Sequence, residues 1–224
     1  MLKSSTMSET SYTPGVRSKV KRAHLRGAYD KETVHALFDA SPMGHIGYVI
    51  DGHPYVTPTL IWRDADRLYW HGSSASRMLR AVKTGIPVCV TVAHMDGWVL
   101  ARSGFHHSAN YRSAMAFGTA FALKSSEEKE AALKLMMDQV FPGRWETLRP
   151  STAQEMKATT VVSMQIEEAV VKIRTGPPVD DDEDYALDVW AGVLPIQQSL
   201  GDLIPDPKLD PARKPEPELS NPLR

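Results

Sequence analysis

Three β-prone runs packed between His45 and His71 constrain this chain more than any other feature. HIGYVI (45–50) ends at Asp51-Gly52, Pro54 to Trp62 ends at the turn Arg63–Asp66, and Arg67 to His71 follows at once. Connections this short join antiparallel neighbours, because a parallel crossover needs about a dozen residues or more. Further β segments are predicted at Pro87–Ala93, at Trp98–Phe105 after a turn at Asp96-Gly97, and at Ser113–Leu123. Thr159–Arg174 reads as one long strand or a bent pair, and Trp190–Ile196 as the last β segment.

Helices fall between these runs. Asp30 caps one whose apolar face is Val34, Leu37 and Phe38, and Pro42 ends it. A short one carries Met78, Leu79 and Val82 and stops at Gly85. Another begins at Ser126 with Glu127 and Glu128 in its first turn, where acids favour the dipole. Thr152 with Glu155 reads as a capping box. Six or seven strands and a few helices predict a mostly β fold with α, an antiparallel barrel with peripheral helices.

Composition narrows the function by exclusion. Lys+Arg number 26 and Asp+Glu 27, so the net charge of −1 gives no field for nucleic acid or an acidic membrane. One cysteine, Cys89, rules out an internal disulfide framework and a cysteine-built metal site. The longest apolar stretch, Ile86 to Ala93, is too short to span a membrane. The polar first residues lack the apolar core of a secretory signal, so a cytoplasmic location is the expectation. Six of the 16 prolines lie from Pro205 onward and predict an extended tail. The expected organisation is an arm over 1–27, one domain over 28–202 and a Pro-rich tail over 203–224.

Three constellations carry chemistry. His71-Gly72-Ser73-Ser74-Ala75-Ser76-Arg77 runs from a strand through a Ser-rich turn into a helix start. Unpaired N–H groups, hydroxyls and Arg77 there suit an anion, whereas Ser73 or Ser74 as an ordinary N-cap is the simpler reading. His106 to Ser113 reads as a polar loop, and adjacent His106 and His107 point apart on an extended chain, so no metal site is expected. Thr57-Pro58-Thr59-Leu60-Ile61-Trp62 places a proline within a strand, which implies an edge, a bulge or an interrupted ladder; a plain edge strand is the simpler reading, and a freed backbone edge for a flat heteroaromatic ring is the functional one. The acidic run Asp180–Asp184 reads as a solvated loop.

Taken in order, HIGYVIDGHPYVTPTLIW, LYWHGSSASRML, PVCVTV, HHSANYRSAMAFG, KATTVV and WAGVLP resemble the pyridoxamine 5′-phosphate oxidase-like flavin-binding split barrels. The similarity is greatest to the flavin-nucleotide-binding branch near the nitroimidazole-resistance proteins. The resemblance covers about residues 22–196. It implies a six-stranded antiparallel split barrel, a homodimer, and FMN in the cleft between subunits, with FAD, a deazaflavin or haem as alternatives. It implies that strand 57–62 lies along the isoalloxazine ring and that Trp70 and His71 border it. Ser74, Ser76 and Arg77 would hold the phosphate beside Met78, and Tyr111, Arg112 and Ser113 would reach the flavin from the next strand. The pattern departs at Met78, where the oxidases carry Lys, and the substrate-binding C-terminal segment has no counterpart. Oxidation of pyridoxamine phosphate itself is therefore not the expectation. The function implied is an FMN-dependent oxidoreductase on a small molecule, a nitro compound or quinone, with His71 catalytic. The alternative is a flavin or haem carrier without turnover. No nucleic-acid or membrane partner is expected.

Overall fold

The computed structural model describes residues 10–216 and 219; the outer parts of the expected arm (1–9) and tail (217, 218 and 220–224) lie outside the described residues. Nine strands form one sheet: β1 (Gly27–Ala28), β2 (Met43–Ile50), β3 (His53–Asp64), β4 (Arg67–Ser73), β5 (Ile86–Leu100), β6 (Ser108–Ala122), β7 (Thr159–Gln165), β8 (Glu168–Arg174) and β9 (Gly192–Pro195). The helices are α1 (Lys31–Asp39), α2 (Arg77–Ala81), α3 (Ser126–Val140) and α4 (Ala153–Ala158). Every pairing is antiparallel. Strand order is β1-β8-β6-β7-β4-β3-β2-β5-β9, and β5 also pairs β6. That extra pairing closes β2-β3-β4-β7-β6-β5 into a six-stranded ring, the expected split barrel.

The split lies along one edge of β6. Tyr111 to Phe117 pair with β8, whereas only Ala120, Phe121 and Ala122 pair with β7. Gly118 sits at the changeover, where a Cβ would be driven into the backbone oxygen of Gln165. Just beside it, Glu167 N–H donates to Phe117 O (2.9 Å). A glycine is required there because two backbones approach too closely for a side chain.

The barrel interior is filled by alternate residues, among them Ile46, Leu68, Trp70, Val90, Val92 and Met164. Val34, Leu37 and Phe38 of α1 and Met78 and Leu79 of α2 enter the same core. A second cluster lies outside the ring, where Trp62 and Val161 pack beneath Ala132 and Met136 of α3. Ser125 and Glu128 form a capping box at α3, and Thr152 and Glu155 form the expected one at α4. The basic arm rests on the β7–β8 turn through Arg17 to Glu168 (2.8 Å) and Glu167 (3.0 Å). Tyr12, His35 and Lys31 all converge on Asp66 in the β3–β4 turn.

Four expectations are corrected. Asp96-Gly97 is not a turn but a bulge within the single strand β5, which ends at Leu100. Gly97 is needed because β9 crosses it: a Cβ would lie 2.9 Å from Leu194 O. Residues 108–113 are not loop but the start of β6, since β5 and β8 pair both its edges and its polar side chains find partners. Asp180 is not solvated: its side chain is fully buried and accepts from Arg102 N–H (2.9 Å) and Nη1 (3.1 Å). The last β segment shrinks to Gly192–Pro195.

Gly118→Ala should destabilise the fold by about 1–3 kcal/mol, the scale of overpacking. A thermal melt reads this directly, and an unchanged midpoint would show that the seam can shift to accept a methyl group.

Candidate functional site

The site begins where β3 and β4 part. They pair only from Ile61↔Trp70 to Asp64↔Arg67. Before Ile61, β3 stays with β2; beyond Trp70, β4 stays with β7 through His71↔Val161 to Ser73↔Thr159. Ile61 N–H donates to Pro42 O (2.9 Å), which sets the phase of the ladder. By antiparallel alternation, Thr59 and Thr57 then turn their backbone groups toward β2, and Leu60, Pro58 and Val56 turn theirs toward the parted edge. Pro58 therefore sits where its missing N–H costs no ladder bond. The parted edge offers the Leu60 amide and the Pro58 carbonyl to a planar heterocycle.

Side chains of the same segment divide between two faces. Thr57, Thr59 and Ile61 share the inner face, opposite Ile46, Gly44 and Trp70. Pro58 and Leu60 face outward, and Trp62 is buried outside the ring under α3. The side chains of Ile61, Trp70 and Met78 lie in the barrel core, so these three can meet a ligand only through backbone atoms.

His71 is the first residue of β4 past the β3 pairing, and its ring lies 5.8 Å from that of Trp62. Its Nδ1 and the Trp62 Nε1 are both buried without a hydrogen-bond partner. Burial holds the His71 pKa below its ordinary value, because the imidazolium loses solvation there.

At the far end of the parted edge stands the Ser-rich turn. The cap of α2 is Ser76, neither Ser73 nor Ser74, and its Oγ accepts from Leu79 N–H (3.4 Å). Ser74 N–H is spent on Ala158 O (2.8 Å) and Ser76 N–H on Ser73 O (2.9 Å). Arg77, by contrast, is exposed and forms no ion pair among the described residues. Its guanidinium lies 4.9 Å from the centroid of the Tyr55 ring. Tyr55 stacks on Tyr48, whose hydroxyl meets Thr57 Oγ1 at 2.9 Å. This Arg-Tyr-Tyr-Thr chain was not read from the sequence; the signal was there in Tyr48 and Tyr55 flanking the Asp51-Gly52 hairpin.

Tyr111, Arg112 and Ser113 do not join this group within one chain. β2 and β5 stand between β6 and β3, a separation of about 14 Å at ordinary strand spacing. Arg112 is engaged bidentately by Asp96 (2.9 and 2.8 Å), and Ser113 donates to Lys172 O. Tyr111 and Ser113 nevertheless share the outer face that carries Pro58 and Leu60, by the register β6–β5–β2–β3. From Val56 to Leu60 and across β2 and β5 that face is an uncharged patch, in which Val56, Pro58 and Leu60 continue through Met43, His45 and Val49, then Cys89, Thr91, Ala93 and Met95. Beyond it lie Glu168, Lys172 and Arg174 of β8 beside Phe117, Ser113 and Tyr111, and Arg17 of the arm lies over the Phe117 ring.

At the rim of the face is a cleft of ≈ 880 Å³ lined by Met43, His45, His94, Met95 and Arg112. His94 Nε2 contacts the buried Ser41 Oγ at 2.5 Å, and Ser41 Oγ donates to Leu37 O (2.7 Å). No metal site was expected; His106, Asp181 and Asp184 do bring their ligand atoms within 4.8 Å of one another at the surface. His106 Nε2 there lies 3.3 Å from Asp181 Oδ2.

The family model described as pyridoxamine 5′-phosphate oxidase matches residues 30–173, which hold the whole barrel from α1 to β8. The chain belongs to the pyridoxamine 5′-phosphate oxidase family. Among solved structures, the flavocytochrome Anf3 from Azotobacter vinelandii is 44% identical, with a TM-score of 0.88 over 93% of this chain and 97% of that one. The FAD and heme binding protein from Mycobacterium smegmatis is 35% identical, with a TM-score of 0.83 over 89% of this chain and 99% of that one. A candidate 5-nitroimidazole antibiotic resistance protein from Bacteroides thetaiotaomicron, 20% identical over 66% of this chain and 86% of that one (TM-score 0.55), shares the fold. Comparison with curated proteins gives no match. Among the described residues no helix is long and apolar enough to cross a membrane.

Within this family fold, the burial of His71 has a measurable sign. Its imidazole should titrate below the usual value of about 6.5. Because that folded-state pKa is depressed, His71 costs stability as pH falls below about 6.5, and nothing above it. An NMR titration of the ring protons checks this; a midpoint at or above 6.5 would contradict the burial described.

Proposed function

We propose that this chain is a flavin- and haem-binding redox protein that works as a homodimer and passes electrons to a small acceptor. The observation that carries the reading is the parted β3–β4 edge, with an unpartnered histidine at one end and an unpaired arginine at the other. The two relatives that are 44% and 35% identical along nearly their whole length support it, one a flavocytochrome and the other an FAD and heme binding protein.

The residues fit both groups. The free Leu60 amide and Pro58 carbonyl supply a donor and an acceptor for a ring edge, and Arg77 supplies the cation for a phosphate. Arg77 held over Tyr55 is oriented in advance, so less side-chain entropy is lost when an anion arrives. Among the described residues, His71 is the part-buried histidine that makes no ring hydrogen bond; His35, His94 and His106 are all engaged. A neutral imidazole here, its ring 5.8 Å from that of Trp62 and its Nδ1 unpartnered, is of the kind that would hold a haem iron. The same neutrality makes His71 a poor acid at neutral pH, so its role is ligand or hydrogen-bond acceptor rather than proton donor. Once bound, the flavin supplies one- and two-electron transfer and the haem one-electron chemistry. The relative from Mycobacterium smegmatis favours FAD over the FMN first expected. The uncharged patch over β2, β3 and β5 supports the homodimer, since a second copy would remove Met43, Val49 and Val56 from water; these are 50, 58 and 65% exposed in one chain.

Purified protein should release a flavin on denaturation, identified by mass, and show a Soret band. Arg77→Ala should weaken flavin binding by about 1.5–3 kcal/mol, and unchanged affinity would remove Arg77 from the site. His71→Ala should keep the flavin and lose or shift the Soret band; an unaltered haem spectrum would assign the iron to another residue.

A further inference from the structure

After β9 the chain leaves the sheet. Ile196 N–H donates to Asp96 O (3.0 Å), and the next tie to the barrel domain is the ion pair Arg144–Glu216 (3.1 Å). Hydrogen bonds in between, such as Lys208 N–H to Asp206 and Ala212 N–H to Asp210, are local turns of the segment itself. Residues 197–215 therefore form a strap held at both ends. Leu200, Leu203, Ile204 and Leu209 are 64, 52, 92 and 43% exposed. Apolar side chains this open on an extended segment gain nothing from the strap's own chain.

The strap starts at the edge of the uncharged patch of the outer face. Gln197 to Leu200 line the cleft together with Met43, His45 and Met95, which belong to that face. Between Ile196 and Pro205 the strap carries one charge, Asp202, and the patch of the face formed by Val56 to Leu60, β2 and the middle of β5 carries none. One chain thus presents two apolar stretches poor in charge, the strap from Ile196 to Pro205 and the patch over β2, β3 and β5, that its own fold leaves largely open.

We propose that the strap of one chain lies across the outer face of a second copy, and the second strap across the first. A two-fold axis satisfies both surfaces with one interaction, because each chain supplies one strap and one face. This rests on the homodimer reading above and adds the surface through which the copies hold one another. The strap of each copy then borders the cleft next to its partner's parted edge.

The test is a dilution series of the full chain by size-exclusion chromatography with light scattering, against Leu203→Asp/Ile204→Asp and, separately, Val56→Asp. Ile204 is 92% and Leu203 52% exposed in one chain and neither belongs to the barrel core, so the strap variant should keep its fold; circular dichroism checks this. The expected result is a native dimer and a strap variant that dissociates at concentrations at least tenfold higher, with unchanged secondary structure. If the strap variant dimerises as tightly as the native chain while Val56→Asp does not, the dimer stands and the strap exchange is wrong. If the native chain is a monomer at every concentration, both are wrong.

Discussion

Everything in this molecule depends on β6 serving two partners along one edge. With fifteen residues it is long enough to pair β8 over its first half and β7 over three residues at its end. The other edge is zipped to β5 nearly throughout. The ring exists only because that three-residue seam closes it, and the seam is reachable only because Gly118 lets the β7–β8 turn come against the β6 backbone. A ring closed so narrowly leaves β4 anchored to β7 and free to leave β3. The parted edge is thus a consequence of how the barrel closes and not an isolated defect.

Electrostatics is organised around the ring rather than inside it. Asp66 collects Tyr12, His35 and Lys31 at the β3–β4 turn; burial alone would raise its pKa, but the hydrogen bonds from Lys31 and Tyr12 hold it below the ordinary carboxylate value. Asp96 is held low chiefly by its hydrogen bonds from Arg112. Asp180 is buried against Arg102. Asp66 and Asp180 sit where a turn or loop meets the barrel and Asp96 at the bulge of β5, so the charges fix irregular points of the fold while the patch over β2, β3 and β5 stays uncharged. Arg77 stands apart from these pairs, a cation at the mouth of the parted edge with an aromatic ring beneath it and no ion pair among the described residues.

Much of this was legible in the sequence, and the failures have physical causes. Strands with short turns and helices with proper caps obey local rules, so β2 to β4, α1 and the capping box of α4 could be read from the sequence, while the Ser125–Glu128 box of α3 was read only as two acids in a first turn. Asp96-Gly97 could not, because the glycine answers to β9 crossing a hundred residues later in the chain, not to a local turn. The polar run from Ser108 to Ser113 looked like a loop because its partners, Asp96, Lys172 and Arg174, are distant in sequence. Asp180 looked solvated because nothing nearby predicts that Arg102 will cover it. At the site, Arg77 and the Ser-rich turn were singled out from local chemistry and Ser76 and His71 from the family resemblance, whereas the burial of Ile61, Trp70 and Met78 depends on which face of a closed ring each occupies. The edge that frees Pro58 was anticipated from the proline alone.

The small bond between Ser41 and His94 reaches further than its size suggests. A serine hydroxyl has one proton, and that of Ser41 is given to the carbonyl of Leu37. The hydroxyl can only receive from His94, so Nε2 must carry the hydrogen. In its neutral form this ring then has a single tautomer, with a bare lone pair on Nδ1. The remaining ring nitrogen of neutral His94, a residue that lines the cleft with Met43 and Met95, is thereby fixed as an acceptor of hydrogen bonds.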